Sequence, residues 1–268
     1  MATISRGSTT GGIEMLNSLG CSDSRLEREL RVNIPIGRGR SKGAKLVQEL
    51  LAVNRINVAI DGDFGDATAR ALAAFCQREG IAIADKVDQG LMDRLAQPLL
   101  RAIRPVSPTG SLGNTIVAMA RQQVAEHPIE LGGANSGPWV RLYMNGSEGR
   151  DFLWCAGFIT YIIRAAAKAE GTASPVTRTF SCDAIGHEAK NKGSFRNRST
   201  SAQAVPGSVF LVPHSTHAAD WIHTGIITGG DGSVFQTIEG NTNSGGSRNG
   251  VEACARSRAC RNVDVVLL

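Results

Sequence analysis

The residues of this 268-residue chain that could carry nucleophilic chemistry are six cysteines and five histidines. Cys155 stands apart from the other cysteines. It lies in Asp151-Phe152-Leu153-Trp154-Cys155-Ala156-Gly157-Phe158-Ile159-Thr160-Tyr161, and the apolar run that follows through Ile162, Ile163, Ala165, Ala166 and Ala167 predicts a mostly buried helix. Cys155 falls in its first turn. Unpaired N–H groups at a helix start favour negative charge, so a thiol there tends toward thiolate. A thiolate attacks acyl carbon when a histidine stands near to move the proton. The small pair Ala156-Gly157 leaves room for a close neighbour. On its own, a cysteine among apolar residues is more often a small core residue, so the reading turns on the histidine.

His127 precedes Pro128 on a loop, His214 and His217 flank a polar turn, and His187 falls in the short helix expected from Cys182-Asp183 to Lys190. Structural or exposed roles suit these four. His223 opens the strand-like run His223-Thr224-Gly225-Ile226-Ile227-Thr228, which the turn Gly229-Gly230-Asp231-Gly232 joins to Ser233–Glu239. A turn centred on Asp231 sets His223 opposite Glu239, whereas a Gly229–Gly232 loop sets it opposite Ile238, and a one-residue slip decides between them. Glu239 and Asn241 are two apart and share one face of an extended chain. One of them, Glu239 for preference, can accept the Nδ1 proton of His223, leaving Nε2 to take the proton of Cys155.

The elements that must hold these groups are legible in outline. Strand-like runs at Gly207–Val212, His223–Thr228, Ser233–Glu239 and Val263–Leu268, following helices at 114–126 and after Cys155, predict an α+β fold. Leu131 to Val140 reads as a Gly-rich loop whose Trp139 is either one wall of a groove or a packing residue beside Tyr143. Ile103 to Leu112, with two prolines and a Gly-Ser pair, reads as a linker over 105–112. Ahead of it, 44–104 reads as a small helical unit: Leu46, Val47, Leu50 and Leu51 on one helix face, a tight turn at Asp61-Gly62, a helix with Leu72 and Phe75 inward, and a third helix at about Asp88–Leu95. A short helix is expected around Glu27–Val32, and turns at Gly11-Gly12 and Gly37–Arg40.

Composition excludes several classes. The net charge of +5 is spread evenly, with 15 Lys/Arg and 12 Asp/Glu in residues 1–104 and 14 and 12 in residues 105–268. No dense basic block marks a nucleic-acid partner, and no apolar run approaches a membrane span. Met1–Thr10 lacks the apolar core of a secretory signal. No Cys-x-x-Cys pair suggests zinc. Cys254 and Cys260 could pair in an oxidising space but are expected to be reduced. Asp61-x-Asp63 begins like a calcium loop, yet Asp66 and Leu72 stand where that loop needs Gly and an acid. No cofactor is implied.

Two resemblances follow from these motifs. Asp61-Gly62-Asp63-Phe64-Gly65-Asp66-Ala67-Thr68, between the helix holding Val47 to Leu51 and one ending in Phe75 and Gln77, resembles the three-helix peptidoglycan-binding domain. Cys76 interrupts the family's adjacent Phe-Gln, and the turn residues serve chiefly to hold the turn. Trp154-Cys155-Ala156-Gly157-Phe158, Asp220-Trp221-Ile222-His223-Thr224-Gly225 and Glu239-Gly240-Asn241-Thr242, in that order over 113–268, resemble the CHAP family of papain-like cysteine, histidine-dependent amidohydrolases and peptidases. The resemblance implies Cys155 as nucleophile, His223 as base and then acid, Glu239 as orienting acceptor, and Asn241 as helper to the histidine or the oxyanion. The backbone N–H of Cys155 would be one oxyanion donor. Trp139, Trp154 and Trp221 are the candidate substrate contacts. Some CHAP domains hold calcium before the cysteine; Met144 to Leu153 offers only Glu148 and Asp151, so no metal is expected. Together the halves imply a peptidoglycan hydrolase, either an N-acetylmuramoyl-L-alanine amidase or a stem or cross-bridge endopeptidase. It would be made in the cytoplasm without a leader and act at the wall after release or delivery by another route. The rivals are a delivered antibacterial toxin of the same chemistry, with an immunity protein as partner, and an inactive wall-binding structural protein.

Overall fold

The computed structural model describes residues 23–198, 203–217, 220–245 and 249–268; Cys21, Met1–Thr10 and the Gly11-Gly12 turn lie outside them. The chain divides into two units between Arg104 and Pro105.

In the first unit, α1 (Ser24–Leu30) precedes a two-residue strand β1 (Gly39–Arg40), α2 (Lys42–Val53), β2 (Asp63–Phe64), α3 (Asp66–Arg78), α4 (Gln89–Leu95) and α5 (Gln97–Ile103). Leu46, Val47, Leu50, Leu51, Leu72 and Phe75 are buried, as their helical spacing predicts. The unit is not purely helical, because β1 and β2 pair antiparallel, Gly39 with Phe64 and Arg40 with Asp63. The Asp61–Thr68 turn is built around Gln48 of α2, which is 1% exposed. Gln48 Oε1 accepts from Asp61 N (3.1 Å) and Gly62 N (2.8 Å), and its Nε2 donates to Asp61 Oδ1, Asp63 O and Thr68 Oγ1 at 2.8, 3.0 and 3.0 Å. Gly62 takes φ +75 there, a region closed to most side chains. The fifth helix goes beyond the sequence reading, which ends the helices at Asp88–Leu95; Pro98 sits in its first turn, where a missing N–H does no harm.

The second unit holds α6 (Leu112–Ala125), α7 (Pro138–Tyr143), α8 (Cys155–Ala169), α9 (Cys182–Asn191) and strands β3 (Phe195–Arg196), β4 (Val209–Pro213), β5 (Trp221–Gly230), β6 (Val234–Thr242), β7 (Glu252–Ala259) and β8 (Asp264–Val266). Its start is tied down: Thr109 N donates to Glu170 Oε1 at 2.8 Å, and Leu112 already opens α6. The strands form one antiparallel sheet in the order β3-β8-β4-β5-β6-β7, so the fold is α+β. Phe158, Ile159, Ile162, Ile163 and Ala166 give α8 its buried side, and the helix packs on β5, β6 and α6. A further cluster of Phe210, Ile227, Phe235, Cys260, Val263 and Val265 consolidates the sheet. Two strands go beyond the sequence reading. β3 is very short, and β7 (Glu-Ala-Cys-Ala-Arg-Ser-Arg-Ala) lacks the β-branched alternation that marks a strand.

The β5–β6 register is neither of the two expected. Gly230 pairs with Phe235, so the reversal lies at 231–234, where Asp231 Oδ1 accepts from Ser233 N and Val234 N, both at 2.8 Å. That ladder would put His223 and Glu239 on opposite faces. A bulge between Ile227 and Gly229 then slips it by one residue, leaving Ile226 opposite Ile238. Because faces alternate with period two, the bulge returns His223 and Glu239 to the same face, offset along the strands rather than opposed.

Candidate active site

Cys155 begins α8, with Trp154 before it and no side chain capping the free N–H groups. The first turn of α8 is pinned from several sides. A Cβ on Gly157 would lie 2.7 Å from Tyr143 O and 2.6 Å from Met144 Sδ, so α7 ends against it. Arg178 Nη1 donates to Gly157 O and to Thr160 Oγ1, both at 2.6 Å. A Cβ on Gly240 would meet Phe158 Cβ at 2.7 Å, so only glycine lets β6 cross here.

His223 is completely buried on β5, opposite Val212 of β4. Its Nε2 donates to Glu239 Oε2 at 2.9 Å. This reverses the expected assignment of the ring nitrogens. The offset register brings the carboxylate to Nε2 and leaves Nδ1 buried with no hydrogen-bond partner. The thiol of Cys155 is the group that acts on the ring beside Glu239. No closed Sγ–Nδ1 hydrogen bond forms, yet each group moves the other's protonation, as is common in a resting site before substrate tightens it. Gly225 makes the space for Glu239: a Cβ there would stand 2.8 Å from Glu239 Cγ and 2.5 Å from the Phe210 ring.

Glu239 is fully buried and fully satisfied. Besides His223, it accepts from Thr237 Oγ1 (2.7 Å) and Arg258 Nε (2.8 Å) on Oε1, and from the Arg258 Nη2 on Oε2. Burial alone would raise its pKa; Arg258 and then His223 overcome that and hold it at about 2. For His223 burial pushes down, but the hydrogen-bonding and charge of Cys155 and Glu239 lift it to about 9. Cys155 is brought well below the ordinary thiol value, first by Cys182, against its own burial, and then by His223. The four groups therefore alternate in charge from Cys155 thiolate to His223 imidazolium, Glu239 carboxylate and Arg258 guanidinium, and this pairing lets so much charge be buried.

Cys182, the first residue of α9, places its sulfur 3.8 Å from that of Cys155. Ser181 caps α9 by accepting from Ala184 N, and Asp183 Oδ1 accepts from Trp221 N at 2.5 Å, tying the helix start to β5 two residues from His223. Contact with Cys155 and burial push the Cys182 thiol up. Either sulfur could donate in this contact, and the opposed shifts of the two thiols favour the proton on Cys182.

Three of the expected site residues come together: Cys155, His223 and Glu239. Asn241 does not join them. In the amide orientation that satisfies both ends, its oxygen accepts from Trp154 N at 3.2 Å and its nitrogen donates to Gly250 O at 2.7 Å. It braces the chain just before Cys155, with φ +53. Trp139 and Trp154 are also corrected. Trp139 and Trp154 are 0% exposed; both stack on Tyr143, and Trp154 gives its indole N–H to Glu130 at 2.9 Å. Trp221 is 5% exposed, gives its N–H to Asp264 at 2.9 Å and packs under Gly186. Trp139 and Trp154 are framework, whereas Trp221 also lines a cavity with Lys190, Phe195, His214 and His217. The exposed apolar side chains next to the two cysteines in sequence are Phe152, Leu153 and Phe180.

Arg258 and Cys182 were not foreseen. Arg258 lies on the unrecognised strand, and its only signal was the Arg256-x-Arg258 alternation. Cys182 had one: a cysteine directly after a Ser helix cap. Cys76, Cys155, Cys182, Cys254 and Cys260 are all free thiols. Among the described residues, no group of three or more His, Cys, Asp or Glu side chains is arranged to hold a metal, and no helix is long and apolar enough to cross a membrane.

No family model, curated protein or solved structure matches the chain.

Proposed function

We propose that the second unit is a papain-like cysteine amidohydrolase of the CHAP type, that its substrate is an amide bond of bacterial peptidoglycan, and that the first unit is a wall-binding module. The observation that carries the catalytic part is the buried, charge-alternating Cys155–His223–Glu239 arrangement at the start of a helix. The wall as substrate rests on the motif resemblance of both units.

The chemistry follows from the geometry. The Cys155 thiolate attacks the amide carbonyl, and charge builds on the carbonyl oxygen near the free N–H groups of the α8 N-terminus. Imidazolium Nδ1–H gives its proton to the departing amine, the C–N bond breaks, and a thioester remains on Cys155. Neutral Nδ1 then takes a proton from water, whose oxygen attacks the thioester and restores the thiolate and the imidazolium. Glu239 keeps Nε2 protonated throughout, so Nδ1 is the nitrogen that exchanges protons. The wall-binding unit raises the local concentration of substrate.

Mass spectrometry of purified peptidoglycan treated with the wild type and with Cys155→Ala tests this. Free stem peptides with intact glycan identify an amidase, and shortened or uncrosslinked stems an endopeptidase. Undigested wall from a folded, reduced wild type defeats the hydrolase reading and leaves the wall-binding one.

A further inference from the structure

The Cys155–Cys182 contact helps to hold Cys155 acidic, but no step of the hydrolytic cycle forms a bond or moves a proton at Cys182. We propose that the two thiols form a redox modification site, in which a peroxide converts Cys155 and Cys182 into an intramolecular disulfide that a thiol reductant reopens. The observations behind it are geometric. The sulfurs already face each other at 3.8 Å, against about 2.05 Å in a disulfide. The pair is not wholly sealed, with Cys155 5% and Cys182 8% exposed, which suits a small oxidant. The two partners differ in kind: Cys155 is the more acidic thiol beside an imidazolium, and Cys182 retains its proton. One is therefore the attacking sulfur and the other the resolving sulfur.

The steps balance with hydrogen peroxide as the oxidant. The Cys155 thiolate attacks one peroxide oxygen, an S–O bond forms, the O–O bond breaks, and hydroxide leaves and takes the proton of His223 to become water. Cys182 then passes its proton to the neutral imidazole, and its sulfur attacks the sulfenic sulfur of Cys155. The S–S bond forms, the S–O bond breaks, and the departing hydroxide takes the proton to give a second water. Two thiols are oxidised and one peroxide is reduced. The consequence is twofold: the nucleophile is stored in a reversible form, and it is spared sulfinic and sulfonic oxidation, which thiols do not reverse. The cross-link rests on the sulfur geometry and the unequal acidities of the two thiols; only its effect on hydrolysis rests on the proposed function.

The test treats the full chain with hydrogen peroxide and maps cysteine states by peptide mass spectrometry, with and without dithiothreitol. In the wild type, a peptide linking residue 155 to residue 182 accumulates as the Cys155 thiol disappears, and dithiothreitol restores the thiol. In Cys182→Ser and Cys182→Ala, no linked peptide forms and the Cys155 that is oxidised advances to sulfinic acid, so the share of oxidised Cys155 that dithiothreitol restores falls sharply. Two substitutions of different polarity guard against a packing artefact at one of them. The proposal is overturned if Cys155 resists peroxide, if it overoxidises in the wild type without cross-linking, or if recovery is the same with and without Cys182. All of these are read as masses, so a failure to digest peptidoglycan does not affect them.

Discussion

Replacing Glu239 by Gln tests the charge alternation directly. The rise of His223 from its ordinary 6.5 to about 9 favours the imidazolium by about 3 kcal/mol. Cys155 and Glu239 both supply that, and burial opposes it. Removing the carboxylate charge, while keeping a side chain of the same shape, takes away about 1.4 kcal/mol or more, a tenfold fall in the ratio of imidazolium to imidazole. The thiolate loses support with it. The assay is the pH dependence of Cys155 alkylation by iodoacetamide, resolved by peptide mass spectrometry so that the other cysteines do not interfere. The wild-type rate should rise in two steps. The first, well below the ordinary thiol range, marks formation of the thiolate–imidazolium pair; the second, near pH 9, marks loss of the imidazolium proton. These are properties of the pair and not of either residue alone. In Glu239→Gln the upper step moves down by about one pH unit or more. Circular dichroism establishes that the variant is folded, since Arg258 is left facing a neutral amide. A folded variant with the wild-type profile would refute the assignment of Glu239 as the group that holds His223 charged.

Further outcomes follow from individual contacts. Glu239 has a folded pKa of about 2 against an ordinary 4.5, so it adds stability that is complete above pH 4.5 and is lost as pH falls from 4.5 to 2, about 3 kcal/mol in all. In Arg258→Met that contribution shrinks, and urea titrations across this range should show the acid transition moved to higher pH. Gly225→Ala forces a methyl into Phe210 and the Glu239 stem; it should cost about 1–3 kcal/mol in urea unfolding and lower the pH of the upper alkylation step. Asn241→Ala removes the acceptor for Trp154 N and keeps the strained φ, while Asn241→Gly relieves the strain, so steady-state peptidoglycan release should fall in both and thermal stability should fall more in the alanine variant. Gln48→Ala strands the Asp61 and Gly62 N–H groups and should destabilise the first unit by about 3 kcal/mol, seen as faster amide exchange across Asp61–Phe64.

What the sequence revealed and what it hid divide along physical lines. The helix after Cys155 was legible because its apolar residues recur at helical spacing, and β5 and β6 because their Val, Ile, Phe and Thr runs are bounded by glycines. β7 was hidden because an edge strand of Ala, Ser and Arg satisfies its backbone in the sheet while its side chains carry no alternation. Arg258 was hidden with it. Gln48 was hidden for another reason: a polar residue on an apolar helix face looks exposed until the turn that uses all its hydrogen-bonding capacity is folded onto it. Trp139 and Trp154 misled because a large aromatic near a motif looks the same in sequence whether it lines a groove or fills the core under it.

Glu239 and Asn241 show why spacing could not have settled the site. Two residues apart on a strand, they are rivals for the same histidine by the period-two rule. The strand is not regular there: its register against β7 shifts between Glu239 and Thr242, and Asn241 takes a left-handed φ. That turn sends the amide to the backbone of Trp154 and the carboxylate to His223. One strand end therefore fixes both halves of the chemistry. Glu239 holds His223 and Asn241 anchors the residue before Cys155, so a change in the local twist at Gly240 should disturb Cys155 and His223 together. A Gly240→Ala variant, whose methyl would press on Phe158 and Trp154, should therefore displace both alkylation steps at once, whereas a defect confined to the base would move the upper step alone.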